Sequence, residues 1–185
     1  MSDTVIATYA RITIGSLTVD AYMLPDGGYR MSQTQTAEAI GLAEVSARRF
    51  LGSKAIKGLL GKGYTPDTLA VEKGDSKRGG RRINALPLEV VSAFWLQQCI
   101  KGNKKAIALT MALLTESLER RFDSAFGVER SEEAYNTLLF NRVESLETDV
   151  DAAYAVADDM ARENQELWFY IRANNLPGPY QIEEG

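Results

Sequence analysis

Along the chain, the spacing of apolar and polar positions changes rhythm several times, and each rhythm predicts a different element. Between residues 8 and 31, TYARITI and LTVDAYML alternate with the period of two that strands require. Gly15-Ser16 between them is a two-residue hairpin turn, and the DGG at 26–28 marks the next turn. From residue 32 the rhythm is helical. SQTQTAEAIGLAEVSARRFL reads as two short helices divided by Gly41, and SKAIKGLL follows as a short basic helix. After the Gly/Pro break GKGYTPD, TLAVEK and RRINAL alternate as strands joined by GDSKRGG. Pro87 suits the first turn of a helix running to about Ile100, which Gly102-Asn103 stops. A second helix from about Lys104 to Phe122 carries Ile107, Met111, Leu114, Leu118 and Phe122 on one face, and Gly127 closes the domain.

From about Ser131 to Ala173 there is neither proline nor glycine, and apolar residues recur at alternating spacings of four and three. Leu139, Val143, Leu146, Val150, Ala153, Ala157, Met160, Leu167 and Ile171 form the seam, with Asn164 as its polar member. A sustained heptad of this kind predicts a coiled coil, so Leu139, Val143, Leu146, Val150, Met160, Asn164, Leu167 and Ile171 are the expected oligomerisation positions. Asn164 would fix the register, and Arg142 with Glu147 would attract across a parallel pair. Phe140, Tyr154, Val156, Trp168 and Tyr170 fall at flanking positions and widen the seam. That widening points to a tetramer or to packing on the body; the competing reading is a helix folded back on its own domain. The expected class is therefore α+β: an N-terminal β-hairpin and a winged helix-turn-helix-like domain over 1–127, a coiled-coil helix over 128–173, and an acidic tail over 174–185.

Composition narrows the chemistry. The chain has 185 residues, 45% of them apolar, which is enough for a real core. No run approaches the roughly 18 apolar residues needed to cross a membrane, and the N-terminus has no signal-peptide pattern. The one cysteine, Cys99, lies in the apolar run SAFWLQQCI and reads as a buried structural thiol. These features predict a cytoplasmic protein without disulfides. There is no histidine, which removes Ser-His and Cys-His catalysis and the common histidine metal sites. No cofactor and no metal are expected.

The net charge of −4 hides a strong segregation. Residues 46–105 hold thirteen basic side chains against four acidic ones, whereas beyond residue 127 thirteen acidic side chains oppose four basic ones. A basic middle beside an acidic end predicts a polyanion-binding body with a separate acidic element.

The helical pair supplies the candidate contact. Ala37 is small enough for a helix crossing, Gly41 tolerates a positive φ, and Leu42 follows it. On the second helix Ala47, Phe50 and Leu51 share one face, while Val45, Arg48 and Arg49 share the other, with Glu44 and Ser46 at the helix start. Arginine there is the usual reader of guanine O6 and N7 in the major groove. The glycine-bounded tip with Lys77 and Arg78, followed by Arg81 and Arg82, has the composition of a wing that tracks phosphates, with Lys104 and Lys105 as further phosphate candidates. The bland alternatives are a helical corner with solvated arginines and an ordinary exposed loop. An enzyme alternative also exists: Pro66-Asp67 followed by Asp75 and Lys77 fits the loose PD-(D/E)xK pattern of Mg-dependent nucleases. Its second half falls in a glycine-bounded turn, where a metal would be poorly held.

Three segments, GYRMSQTQTAEAIGL, RRINALPLEVVSAFW and KGNKKAIALTMALLTESLERRF, give residues 29 to 126 a layout that resembles the KilA-N/Bro-N type of phage and viral DNA-binding domain. The resemblance implies DNA binding and regulation, with partners or modules attached at the C-terminal side. The expectation is thus a non-enzymatic protein, binding double-stranded DNA in a sequence-specific manner and regulating transcription as a homo-oligomer, with another regulator as a further possible partner. An antirepressor-type interaction module is the alternative.

Overall fold

A computed structural model describes residues 6–61, 64, 67–71 and 81–178 of the chain. The protein is α+β, with elements in the order β1 (Ile6–Ile14), β2 (Leu17–Met23), β3 (Tyr29–Ser32), α1 (Gln33–Glu38), α2 (Glu44–Leu51) and α3 (Lys54–Leu60). There follow β4 (Asp67–Val71), β5 (Arg81–Pro87), α4 (Leu88–Ile100), α5 (Lys104–Phe126) and α6 (Glu132–Ala173). The chain divides into two compact units, Met1–Glu147 and Thr148–Gly185.

The five strands close on themselves in the order β1-β2-β3-β5-β4. Ile14 faces Leu17 across the first hairpin, so Gly15-Ser16 forms the two-residue turn, with Gly15 at φ 59. Closure comes from a parallel pairing of β1 with β4, Ile6 against Ala70 and Ala7 against Val71. Such a contact leaves no local trace in sequence, because parallel partners must be brought together by a long crossover. β4 and β5 are antiparallel, with Val71 opposite Arg81. The hairpin expected to be a wing is therefore two staves of a barrel, and its tip, including Lys77 and Arg78, lies outside the described residues.

Successive strand residues point to opposite faces, and here both faces are apolar. Val19 of β2 and Leu86 of β5 join a helical core with Met31, Ile40, Phe50 and Phe94. Tyr22 and Ala85, on the other parity, join Ala7 and Leu24 in a second, smaller cluster. α4 runs through the larger core and is buried on most of its circumference, through Val90, Val91, Ala93, Phe94, Trp95 and Gln98.

The first unit continues past Gly127 because the start of α6 completes it. Tyr135 and Leu139 are buried, and Val143 packs against the main core. Leu139 and Phe140 lie against the β1–β2 turn, where a Cβ on Gly15 would sit 3.4 Å from the Phe140 backbone nitrogen. Polar contacts fix the same junction. Arg120 forms a two-pronged ion pair with Glu132, at 2.7 and 2.8 Å, and its guanidinium stacks 3.9 Å above the Tyr135 ring. The Tyr135 hydroxyl donates to Asp123 at 2.9 Å, Arg130 pairs with the same carboxylate, and Arg142 pairs with Glu119. Burial, and then the Asp123 bond, push the Tyr135 phenol above its ordinary range, while the Arg120 bond holds the Glu132 carboxyl below its own. The boundary expected at Gly127 thus falls inside a unit that runs to Glu147.

In the second unit, every residue of α6 from Asp151 to Tyr170 is exposed. The helix ends where the sequence indicates: Leu176 N–H donates to the Ile171 carbonyl at 3.0 Å, and Asn175 takes the left-handed conformation at φ 51. Asparagine is the residue after glycine best suited to that cap. No helix among the described residues is long and apolar enough to cross a membrane.

Candidate nucleic-acid interface

Local chemistry builds the helical corner. Ser32 caps α1, its hydroxyl accepting from Gln35 N–H at 3.1 Å, and Gln35 in turn accepts from the Asp20 backbone N–H of β2. The chain then turns at Gly41, with φ 72, and Leu42 N–H reaches back to the Ala37 carbonyl. Ala37, Ala47, Phe50 and Leu51, which the sequence pattern singles out, are buried and bolt the corner to the core, and Ile40, which it does not, is buried with them. Trp95 on α4 adds an indole N–H bond of 2.8 Å to the Thr36 carbonyl.

Arg48 and Arg49 are exposed on the opposite side of α2. Eight residues make a helix of about 12 Å, comparable to the width of the B-DNA major groove. Ser46 is half-buried beside them. Glu44 is placed differently from the expectation: its carboxylate accepts from the amide of buried Gln33 on α1, which commits it to holding the two helices together.

Lys104 and Lys105 are brought to the corner by a residue that sequence reasoning treats only as a helix stop. Asn103 caps α5 by accepting from Ala106 N–H at 2.9 Å, and its amide donates to the Ile40 carbonyl at 3.3 Å. The start of α5 is thereby pinned to the α1–α2 turn. Lys105 then lies over Gly41, where a Cβ would come within 3.1 Å of its Cδ. Gly41 is required twice, for its backbone conformation and for this close approach. Lys105 is exposed and Lys104 half-buried. A helical spacing can reveal neither contact, since they join residues about sixty positions apart in sequence.

Arg81 and Arg82 open β5, opposite Val71 and Ala70. Lys77 and Arg78 lie outside the described residues, as do Pro66 and Asp75 of the nuclease-like pattern; Asp67 begins β4, paired with Ala85. Among the described residues, no group of three or more Asp, Glu or Cys side chains is placed to hold a metal ion.

The expected oligomerisation positions divide. Leu139 and Val143 are packed within the first unit, and Leu146 and Val150 are half-buried. Met160, Asn164 and Leu167 are exposed, and Ile171 is half-buried. Asn164 lines a shallow groove with Ala161, Gln165, Trp168, Phe169 and Arg172. No family model matches the chain, and no curated protein or solved structure is found to be similar to it.

Proposed function

We propose that the protein binds double-stranded DNA in a sequence-specific manner and regulates transcription as a cytoplasmic homo-oligomer, without enzymatic activity. The observation that carries this reading is α2, which buries Ala47, Phe50 and Leu51 and turns Arg48 and Arg49 outward. In this reading α1 and α2 are a helix-turn-helix, with α2 in the major groove and Lys105 on a flanking phosphate. The segment joining β4 to β5, which carries Lys77 and Arg78, would act as the wing, with Arg81 and Arg82 where β5 begins. The layout resemblance to KilA-N/Bro-N domains supports the same assignment. The distal seam, from Val150 to Ile171, would join copies so that two weakly discriminating modules act on one operator.

The experiment is a gel shift on random duplex, with and without Mg²⁺, followed by selection from genomic fragments. Binding without cleavage that falls steeply with salt supports the reading. Metal-dependent nicking would favour the nuclease alternative. A second reading is favoured by the exposed aromatic residues of the distal helix, Trp168, Phe169 and Tyr170. An antirepressor-type module would use them to hold another regulator, and such a protein would leave duplex unshifted.

A further inference from the structure

Helix α5 is packed the opposite way from what its side chains suggest. Its inward face is built from small residues, Ala106, Ala108 and Ala112 around Leu109, followed by the ion-paired Glu116, Glu119 and Arg120. Apart from Leu109 and Leu113, which meet the core, its large apolar residues lie toward the other side. Met111, Leu114, Leu118, Phe122 and Phe126 are all exposed, Leu114 at 63%, Phe122 at 61% and Phe126 at 82%. At 3.6 residues per turn they make one continuous stripe on the side away from the core. Soluble monomers rarely show contiguous apolar patches beyond a few hundred Å².

We infer that this stripe is a self-association surface, occupied by α5 of a second copy of the chain in antiparallel register about Leu118. The spacing carries the register. Leu114 and Phe122 stand four residues to either side of Leu118, so a two-fold axis there sets Leu118 on its own copy and Leu114 on Phe122 of the second copy. Met111 then meets the Ala125-Phe126 end. Charge permits the pairing: Arg121 comes opposite Thr115 of the second copy, so no like charges face each other. Area permits it as well. Complete covering of the five side chains would remove at most about 600 Å² per copy, or about 1,200 Å² in all, which reaches the roughly 1,000 Å² expected of a specific interface.

The pairing has a geometric consequence that rests on the DNA-binding reading. Lys105 lies thirteen residues from Leu118, so the two copies of the basic corner would stand about 40 Å apart along the α5 axis at about 1.5 Å per residue. Successive major-groove faces of B-DNA lie about 34–36 Å apart. The arrangement suits two half-sites one helical turn apart.

The test uses the full chain with the distal seam disabled by Met160→Glu and Leu167→Glu, both at exposed positions. Sedimentation equilibrium without DNA should give a dimer at about 100 µM, in keeping with an interface at the small end of the standard range. Adding Leu118→Glu should halve the mass and leave the helical circular dichroism unchanged. In a Cys99→Ser background, Leu118→Cys should form an inter-chain disulfide on mild oxidation and Met111→Cys should not. A monomer before Leu118→Glu is added, a dimer that survives it, or cross-linking at Met111 rather than Leu118 would each overturn the proposal. If the mass halves as expected but duplex is never bound, the α5 pairing stands and only the DNA-binding reading fails.

Discussion

The two parts of α6 carry one apolar seam and put it to opposite uses. Before Glu147, Tyr135, Leu139 and Val143 are absorbed by the chain's own core, and the neighbouring charges are matched to Arg120, Asp123 and Glu119 on α5. Beyond it, Met160 and Leu167 keep the same spacing and are exposed, beside acidic residues such as Asp158, Asp159, Glu163 and Glu166. Periodicity identifies which face of a helix is apolar. It does not identify what covers that face. The body and the distal helix should therefore respond differently to similar substitutions.

The largest expected effect is on stability. Leu139→Ala should cost about 2–5 kcal/mol, as expected when a fully buried leucine leaves a cavity. Leu167→Ala should leave the urea midpoint of the body almost unchanged and reduce assembly instead. Urea denaturation with light scattering separates the two, and equal midpoints for both variants would erase the contrast. A smaller loss is expected at the corner. Gly41→Ala places a left-handed alanine against Lys105, costing about 1–2 kcal/mol, and should weaken DNA binding without altering mass.

Much of this contrast is hidden from sequence for a physical reason. Turns, caps and helix ends are local chemistry, so Gly15-Ser16, Pro87 and Gly102-Asn103 are legible as boundaries. The buried face of α2 is legible too, because three apolar residues at helical spacing leave little choice. Non-local pairings are not. The parallel β1–β4 closure, the Asn103 bond to Ile40 and the engagement of Glu44 by Gln33 each depend on distant segments meeting. The α5 stripe is a further case: the apolar periodicity is correct, yet the core takes the alanine face. Of the proposed site, Arg48 and Arg49 can be found from spacing, whereas Lys105 can be placed beside them only through the fold.

The smallest expected effect is on pH dependence, and it too belongs to the body. The Glu132 carboxyl is held below its unfolded value by Arg120, so its contribution is present above the ordinary carboxylate range and is lost as pH falls through the lowered value. The Tyr135 phenol is raised, so its contribution is lost as pH climbs above the unfolded value of about 10. Glu132→Gln should flatten the acid limb of stability against pH and Tyr135→Phe the alkaline limb.

If α2 reads base pairs as proposed, its arginines must set the preferred sequence. Full-length protein and its Arg48→Ala variant are each used to select from the same random duplex library, and bound sequences are compared across a salt series. The expected result is a defined site for the native protein, with affinity falling by orders of magnitude between about 50 and 200 mM salt. Arg48→Ala should then lose preference at one base pair, a penalty of about 1–3 kcal/mol, while still binding duplex. An unchanged site in the variant, or binding indifferent to salt, would show that α2 does not read base pairs.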